Sequence, residues 1–260
     1  TVEKDQMSFL QHLDELRWRL VRISIAVILF ATIIWIFQEW IMNHIFLSMR
    51  DKNFVSFRVL CKFLGVCVED TTVKMQSMTV SGQFNYAMMM SIMGGLVLSS
   101  PYIFYQIWSF VKPGLKVNEM KAAKGIVFLI SVCFLLGIAF GYFVVAPLTI
   151  TFFGSFQIST QIENNFTIGS YMGTIISTVF YTGLLFLLPI ASFFLTHIGL
   201  ITPDFLKKYR RHAIVVILII SAIITPPDIL SQIIVSIPII ILYEVGILFS
   251  KRAIKKRLRE

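Results

Sequence analysis

The stretch Gly125-Ile-Val-Phe-Leu-Ile-Ser-Val-Cys-Phe-Leu-Leu-Gly-Ile-Ala-Phe-Gly-Tyr-Phe-Val-Val-Ala146 decides the class of fold. It carries no charged side chain, and it is long enough to cross a bilayer as a helix. A barrel strand would instead be about ten residues of alternating polarity. The rest of the chain agrees. Of 260 residues, 57% are hydrophobic and only 14% charged, and Phe alone occurs 24 times. Mean hydropathy is +0.80. Ordinary globular domains are about 25% charged, so these charges cannot cover a water-soluble surface. The sequence reads as a polytopic, all-α membrane protein, and most soluble-enzyme readings fall away.

Working outward from that run, the sequence offers six candidate spans: Arg22–Trp40, Tyr86–Phe110 with Pro101 inside, Gly125–Ala146 closed by Pro147, Tyr171–His197 with Pro189 inside, Ala213–Ile224, and Ile229–Tyr243, extendable past Glu244 to Phe249. No Ser- or Gly-rich linker divides them, so residues 1–260 read as one domain. The first run follows some twenty polar and amphipathic residues and lacks a small-x-small cleavage site. It reads as a permanent helix rather than a signal peptide.

The net charge of +9 speaks to orientation rather than to nucleic acid. Eighteen Lys and Arg fall in the N-terminal tail, the second-to-third and fourth-to-fifth connections and the C-terminal tail, against five in the first outer loop. The positive-inside rule puts both termini in the cytoplasm, as an even number of spans requires. Residues 1–21 are then a cytoplasmic amphipathic N-terminus, 43–81 a long first periplasmic loop, and 250–260 a basic cytoplasmic tail.

The fifth run has 12 residues. It reaches roughly 18 Å against about 30 Å of hydrocarbon, and the sixth is little longer before Glu244. Between them lies the turn Thr225-Pro226-Pro227-Asp228. Either the last two helices form a short hairpin in a thinned bilayer, or the fifth extends through Lys207 to His212 to normal length. Glu244 is the acid set well inside an apolar run. Such a group faces the bundle interior or water, or it lies near the headgroups. Gly137/Gly141 and Gly169/Gly173 are Gly-x-x-x-Gly pairs, read as ordinary packing within the chain.

In Met7–Leu20, MSFLQHLDELRWRL, Leu10, Leu13, Leu16 and Leu20 form one apolar stripe. Glu15 lies off it and pairs with Arg19 at i,i+4, worth a few tenths of a kcal/mol on a surface. In KPGLKVNEMKAAK, Glu119 is the acid among four lysines. Isolated carboxylates next to helix ends suit guanidinium groups, which they hold by forked, charge-assisted hydrogen bonds.

Four stretches together resemble the TatC family, the polytopic subunit of the twin-arginine protein translocase. They are His12-Leu-Asp-Glu-Leu-Arg-Trp-Arg-Leu20, Ser100-Pro-Tyr-Ile-Phe-Tyr-Gln-Ile-Trp-Ser-Phe-Val-Lys-Pro-Gly-Leu115 with Glu119, Tyr142-Phe-Val-Val-Ala-Pro-Leu148, and Thr225-Pro-Pro-Asp-Ile-Leu-Ser-Gln232. The resemblance covers nearly the whole chain. It implies a concave, cupped bundle with two short last helices, and a receptor site at Glu15 and Glu119 for the paired arginines of signal peptides. Leu16, Arg17, Phe110 and Pro113 would shape that site, and Asp228 and Gln232 would support transport from the far-side turn. It further implies export of folded proteins driven by the proton-motive force, TatA/TatB-type single-span partners, self-association, contact with lipid, and an inner-membrane location. Two features depart from the family: Phe186 and Leu187 stand where an acid or amide is frequent before the helix-four proline, and Asn43–Asn53 contains no proline.

No catalysis, cofactor or metal is expected. The chain has no GxxxxGK[ST], no HExxH and no paired intramembrane aspartates, and its histidines (12, 44, 197, 212) are scattered. A solute transporter would need inverted repeats meeting at a polar mid-membrane site. The two halves of the sequence offer no such repeat, and Glu244 alone is thin support. A purely structural scaffold is the second rival. Finally, Cys61 and Cys67 flank five residues of the outer loop, where an oxidising compartment favours a disulfide. The alternative is two reduced thiols. Cys133 reads as an inert apolar side chain.

Overall fold

In hydrocarbon every backbone N–H and C=O must be satisfied within its own segment, so apolar runs become helices. The computed structural model describes residues 9–51, 54–64, 74–112, 125–159, 165–197, 199, 201–224 and 229–257. The elements are α1 (Phe9–Ile36), α2 (Gln38–Ile41), α3 (Val55–Leu64), β1 (Lys74–Gln76), α4 (Gly82–Val111), α5 (Ile126–Phe140), α6 (Ala146–Ser155), β2 (Asn165–Thr167), α7 (Ile168–Leu185), α8 (Leu188–His197), α9 (Pro203–Lys208), α10 (Arg210–Ile224) and α11 (Ile229–Arg257). Among the described residues five segments are long and apolar enough to cross a membrane: Gln11–Ile36, Gly82–Val111, Ile126–Ser155, Ile168–Thr196 and Gln232–Lys251.

Two expectations are corrected. The third span does not close at Pro147. A π-helical turn, Gly141–Val145, resets the backbone, so Pro147 falls in the first turn of α6 and the helix runs on to Ser155. Proline lacks an N–H, and that position needs none. The last helix is not short. α11 has 29 residues and continues through Glu244 into the basic tail; glutamate is a good helix former, and Arg210 stands against its carboxylate. The shortness therefore falls on α10 alone, with 15 residues, about 22 Å. Its polar flank does not lengthen it far, since the backbone breaks at Tyr209 and Pro203–Lys208 is a separate helix capped by Thr202. The connection 43–81 has structure of its own: part of a π-helical turn (Met42–Phe46), a 3-10 turn (Leu47–Arg50), α3 and β1.

Contacts sort the elements into two ends. At one end Phe46, Met49, Tyr171 and Met172 are buried together. Tyr171 donates to the Phe46 carbonyl at 2.6 Å, Tyr142 donates to that of Ile45 at 2.8 Å, and Ser56 donates to that of Phe143. There β1 pairs in parallel with β2, with Met75 opposite Phe166. At the other end the start of α1 meets the finish of α4, Trp108 packs edge-on to Phe194, and Thr196 and Ser250 hydrogen-bond at 3.0 Å. Between the ends, a Cβ on Gly137 would come within 2.8 Å of the Gly183 Cα, and one on Gly141 within 2.9 Å of the Val179 Cα. That glycine pair is thus spent on close packing of α5 and its π turn against α7. Gly173 meets nothing within 4 Å, so the second pair is not such a seam.

Candidate functional site

The site is assembled where α1 crosses α4. The crossing is close because Gly95 has no Cβ; one placed there would lie 2.7 Å from the Ala31 backbone nitrogen. The leucine stripe of α1 does not face this contact, for Leu13 and Leu20 are exposed. An inward-facing strip carries His12, Glu15 and Arg19 instead, and this polar strip is the one that reaches α4.

Arg19 is the hub. Its Nε donates to Glu15 Oε1 at 2.9 Å, and its Nη2 donates to the same oxygen. Nη1 reaches Gln106 Oε1 at 3.2 Å and the Gln106 carbonyl at 3.3 Å, and Nη2 also reaches the Ser109 carbonyl at 3.3 Å. Gln106, only 4% exposed, is held in turn by donating Nε2 to the Tyr102 hydroxyl at 2.6 Å. The Arg19 and Glu15 side chains are 16% and 25% exposed, so the pair read as a surface contact is half-buried. Both donors fall on Oε1. Glu15 Oε2 is buried and, among the described residues, has no hydrogen-bond partner. A lone carboxylate oxygen in that state is costly and is an acceptor aimed at nothing. Beside it His12 stacks on Phe110, ring centres 4.3 Å apart.

The fold thus brings Glu15 and Phe110 to one place. Leu16 is half-buried and adjoins it. Arg17, two positions on and about 200° around the helix, is exposed on the far side. There it lines an open apolar groove of about 440 Å³ with Leu13, Leu16, Leu20 and Val21. Glu119 and Pro113 lie outside the described residues, as do Asp228 and Cys67, and so does the side chain of Cys61. Gln232 donates to the Leu218 carbonyl at 3.1 Å, tying α11 to α10. Glu244 is met by Arg210, Nε 2.5 Å from Oε1, with angles outside hydrogen-bonding geometry. Gln106, Ser109 and His12 were not singled out by the sequence reading. The one signal for Gln106 was an amide inside the apolar run Tyr102–Trp108.

Phe186, one of the two apolar residues before Pro189, is buried at the end of α7. A separate apolar cavity of about 530 Å³ lies among α1, α4, α5 and α7, lined by Ile34, Met90, Val97, Ile138 and Ile176 among others. It offers no polar side chain for chemistry beyond the Tyr142 hydroxyl and the Trp40 indole.

Known proteins match this chain along nearly its full length. The family described as Sec-independent protein translocase protein (TatC) matches residues 11–238. The TatC protein of Blattabacterium is 37% identical over 264 aligned positions, spanning 98% of this chain and 99% of that one. TatCy of Bacillus subtilis is 31% identical, spanning 97% and 92%. A crystal structure described as the twin-arginine translocase receptor TatC superposes with a TM-score of 0.69 at 27% identity, covering 93% of this chain and 99% of that one. By sequence along its length and by fold, the chain belongs to the TatC family of Sec-independent protein translocase components.

Proposed function

We propose that this multi-pass membrane protein is the twin-arginine signal-peptide receptor and core of its translocase. It exports folded proteins using the proton-motive force and carries out no chemistry of its own. The observation that carries the reading is the half-buried Glu15 carboxylate, already shaped around a guanidinium and with Oε2 unpartnered. Glu119 supplies the second carboxylate, and Leu16, Phe110 and Pro113 shape the rim. Arg17, on the outer face of α1, acts on this site from the groove side.

The topology that serves this role has six spans in a cupped bundle. The Glu15 end and both termini face the cytoplasm of a cell with an inner membrane, as the eighteen-to-five basic asymmetry favours. α10 is the fifth span, which with the five longer segments makes six, and its short reach thins the bilayer around the turn that bears Asp228. Gln232 holds that turn, while Glu244 braces α10 through Arg210. Single-span TatA/TatB-type subunits are the partners, with self-association of this chain.

The test is binding of labelled twin-arginine and twin-lysine signal peptides to the purified full-length protein. Glu119→Ala should weaken the twin-arginine peptide by about tenfold or more and the twin-lysine peptide less, because lysine has no fork to lose. Equal losses for both would reduce the site to general electrostatics and contradict the assignment.

A further inference from the structure

Glu15 is already holding an arginine. Arg19 sits on its Oε1 with two donors, and it also reaches Gln106 Oε1 and the carbonyls of Gln106 and Ser109. An incoming cation must therefore take the carboxylate from a resident guanidinium. We propose that Arg19 is a specificity-determining residue: an internal placeholder that a peptide arginine displaces from Glu15 and a peptide lysine does not. The inference rests on the receptor reading above and concerns how that same site discriminates.

Three observations support an exchange. Among the described residues Oε2 of Glu15 is unpartnered, so a newcomer that reaches the carboxylate has an oxygen to bond that Arg19 does not occupy. Arg19 keeps three acceptors on α4 if it leaves Oε1, so displacement does not strand a buried charge, which would be severely unfavourable. Those acceptors are fixed, because Gln106 is buried and tied to Tyr102.

The discrimination follows from shape. An arginine presents two parallel N–H donors that span both carboxylate oxygens, whereas an ammonium is a point charge that does not. On an empty carboxylate both cations would bind, and the difference between them would be modest. Against a resident competitor, apparent affinity is scaled by the fraction of sites in which the competitor has yielded. The bidentate newcomer compensates for that through Oε2, while the ammonium bears it in full. Specificity is built here by raising the threshold for the wrong ligand as well as by attracting the right one.

The experiment measures affinities of labelled twin-arginine and twin-lysine peptides for the full-length protein in nanodiscs, comparing the parent with Arg19→Gln, Arg19→Lys and Glu15→Gln. Gln keeps helix propensity and removes the charge; Lys keeps the charge and removes the fork. Arg19→Gln is expected to narrow the arginine-to-lysine affinity ratio about tenfold, chiefly because the lysine peptide gains. Arg19→Lys narrows it in the same direction by less, and it decides the matter if the Gln variant does not fold. An unchanged ratio, or equal weakening of both peptides, overturns the inference and makes Arg19 a residue that merely positions Glu15. Glu15→Gln separates the two claims. If it binds both peptides like the parent, the receptor reading itself fails. If it loses binding while the Arg19 variants keep the parent ratio, only the placeholder fails.

Discussion

Among the described residues two Arg–Glu pairs look alike as contacts and differ in their surroundings. Glu15–Arg19 lies within one helix, leaves only 16% of Arg19 and 25% of Glu15 exposed, and feeds into a network of α4 oxygens. Arg210–Glu244 joins two helices, leaves Arg210 55% and Glu244 35% exposed, and makes a single ionic contact. Each glutamate has a buried oxygen without a hydrogen-bond partner, Oε2 in Glu15 and Oε1 in Glu244, but only Glu15 has its other oxygen held by two guanidinium donors. Charge pairing alone therefore does not mark a binding site. Burial, fixed neighbouring dipoles and surplus valence do, because they keep a carboxylate oriented and hungry for a second donor. Glu244 is better understood as an acid inside α11 whose charge Arg210 of α10 offsets.

The contrast gives graded expectations. The largest effect outside Glu15 and Arg19 themselves belongs to Gln106. Gln106→Leu strands the Tyr102 hydroxyl and removes one Arg19 acceptor. It should lower unfolding stability by about 1–3 kcal/mol, read as a lowered thermal transition in detergent, and weaken twin-arginine binding as Arg19 loosens. A variant as stable as the parent would mean that Gln106 does not anchor the network. A smaller effect is expected from Glu244→Gln. The pair is solvent-accessible, so its loss should cost less than about 1 kcal/mol and leave peptide affinity within about twofold. If Glu244→Gln matched Gln106→Leu in either measurement, the distinction between the two pairs would collapse.

How much of this was legible in the sequence depends on which residue is asked. The five long spans are stretches of apolar composition, and composition is local, so their approximate positions could be read directly. Their interruptions could not. Pro147 looked like a stop, and only the π turn at Gly141–Val145 makes it a helix start. The end of α11 was only partly visible: the run was read as extendable past Glu244 to Phe249, and the helix goes on through the basic residues to Arg257, where apolar composition no longer marks it. β1 and β2, three residues each, carry too little pattern to be noticed. In the site, Glu15 was visible through its motif, but its environment was not. The i,i+4 spacing with Arg19 suggested a solvent-screened pair, whereas the last turns of α4, through Gln106 and Ser109, cover it. Gln106 sat unremarked in a quoted stretch because its value depends wholly on which helix lies across it.

The central claim is that the Glu15 carboxylate itself grips a guanidinium of the signal peptide. A double-mutant cycle tests it most directly: parent and Glu15→Gln protein, each with a twin-arginine peptide and a peptide carrying lysine at one of the two positions. The account predicts that the Glu15 and arginine changes are coupled by more than about 1 kcal/mol at one of those positions, as for groups in contact. Losses that add within about 0.3–0.5 kcal/mol at both positions would mean that Glu15 and the peptide arginines do not touch, and would contradict it.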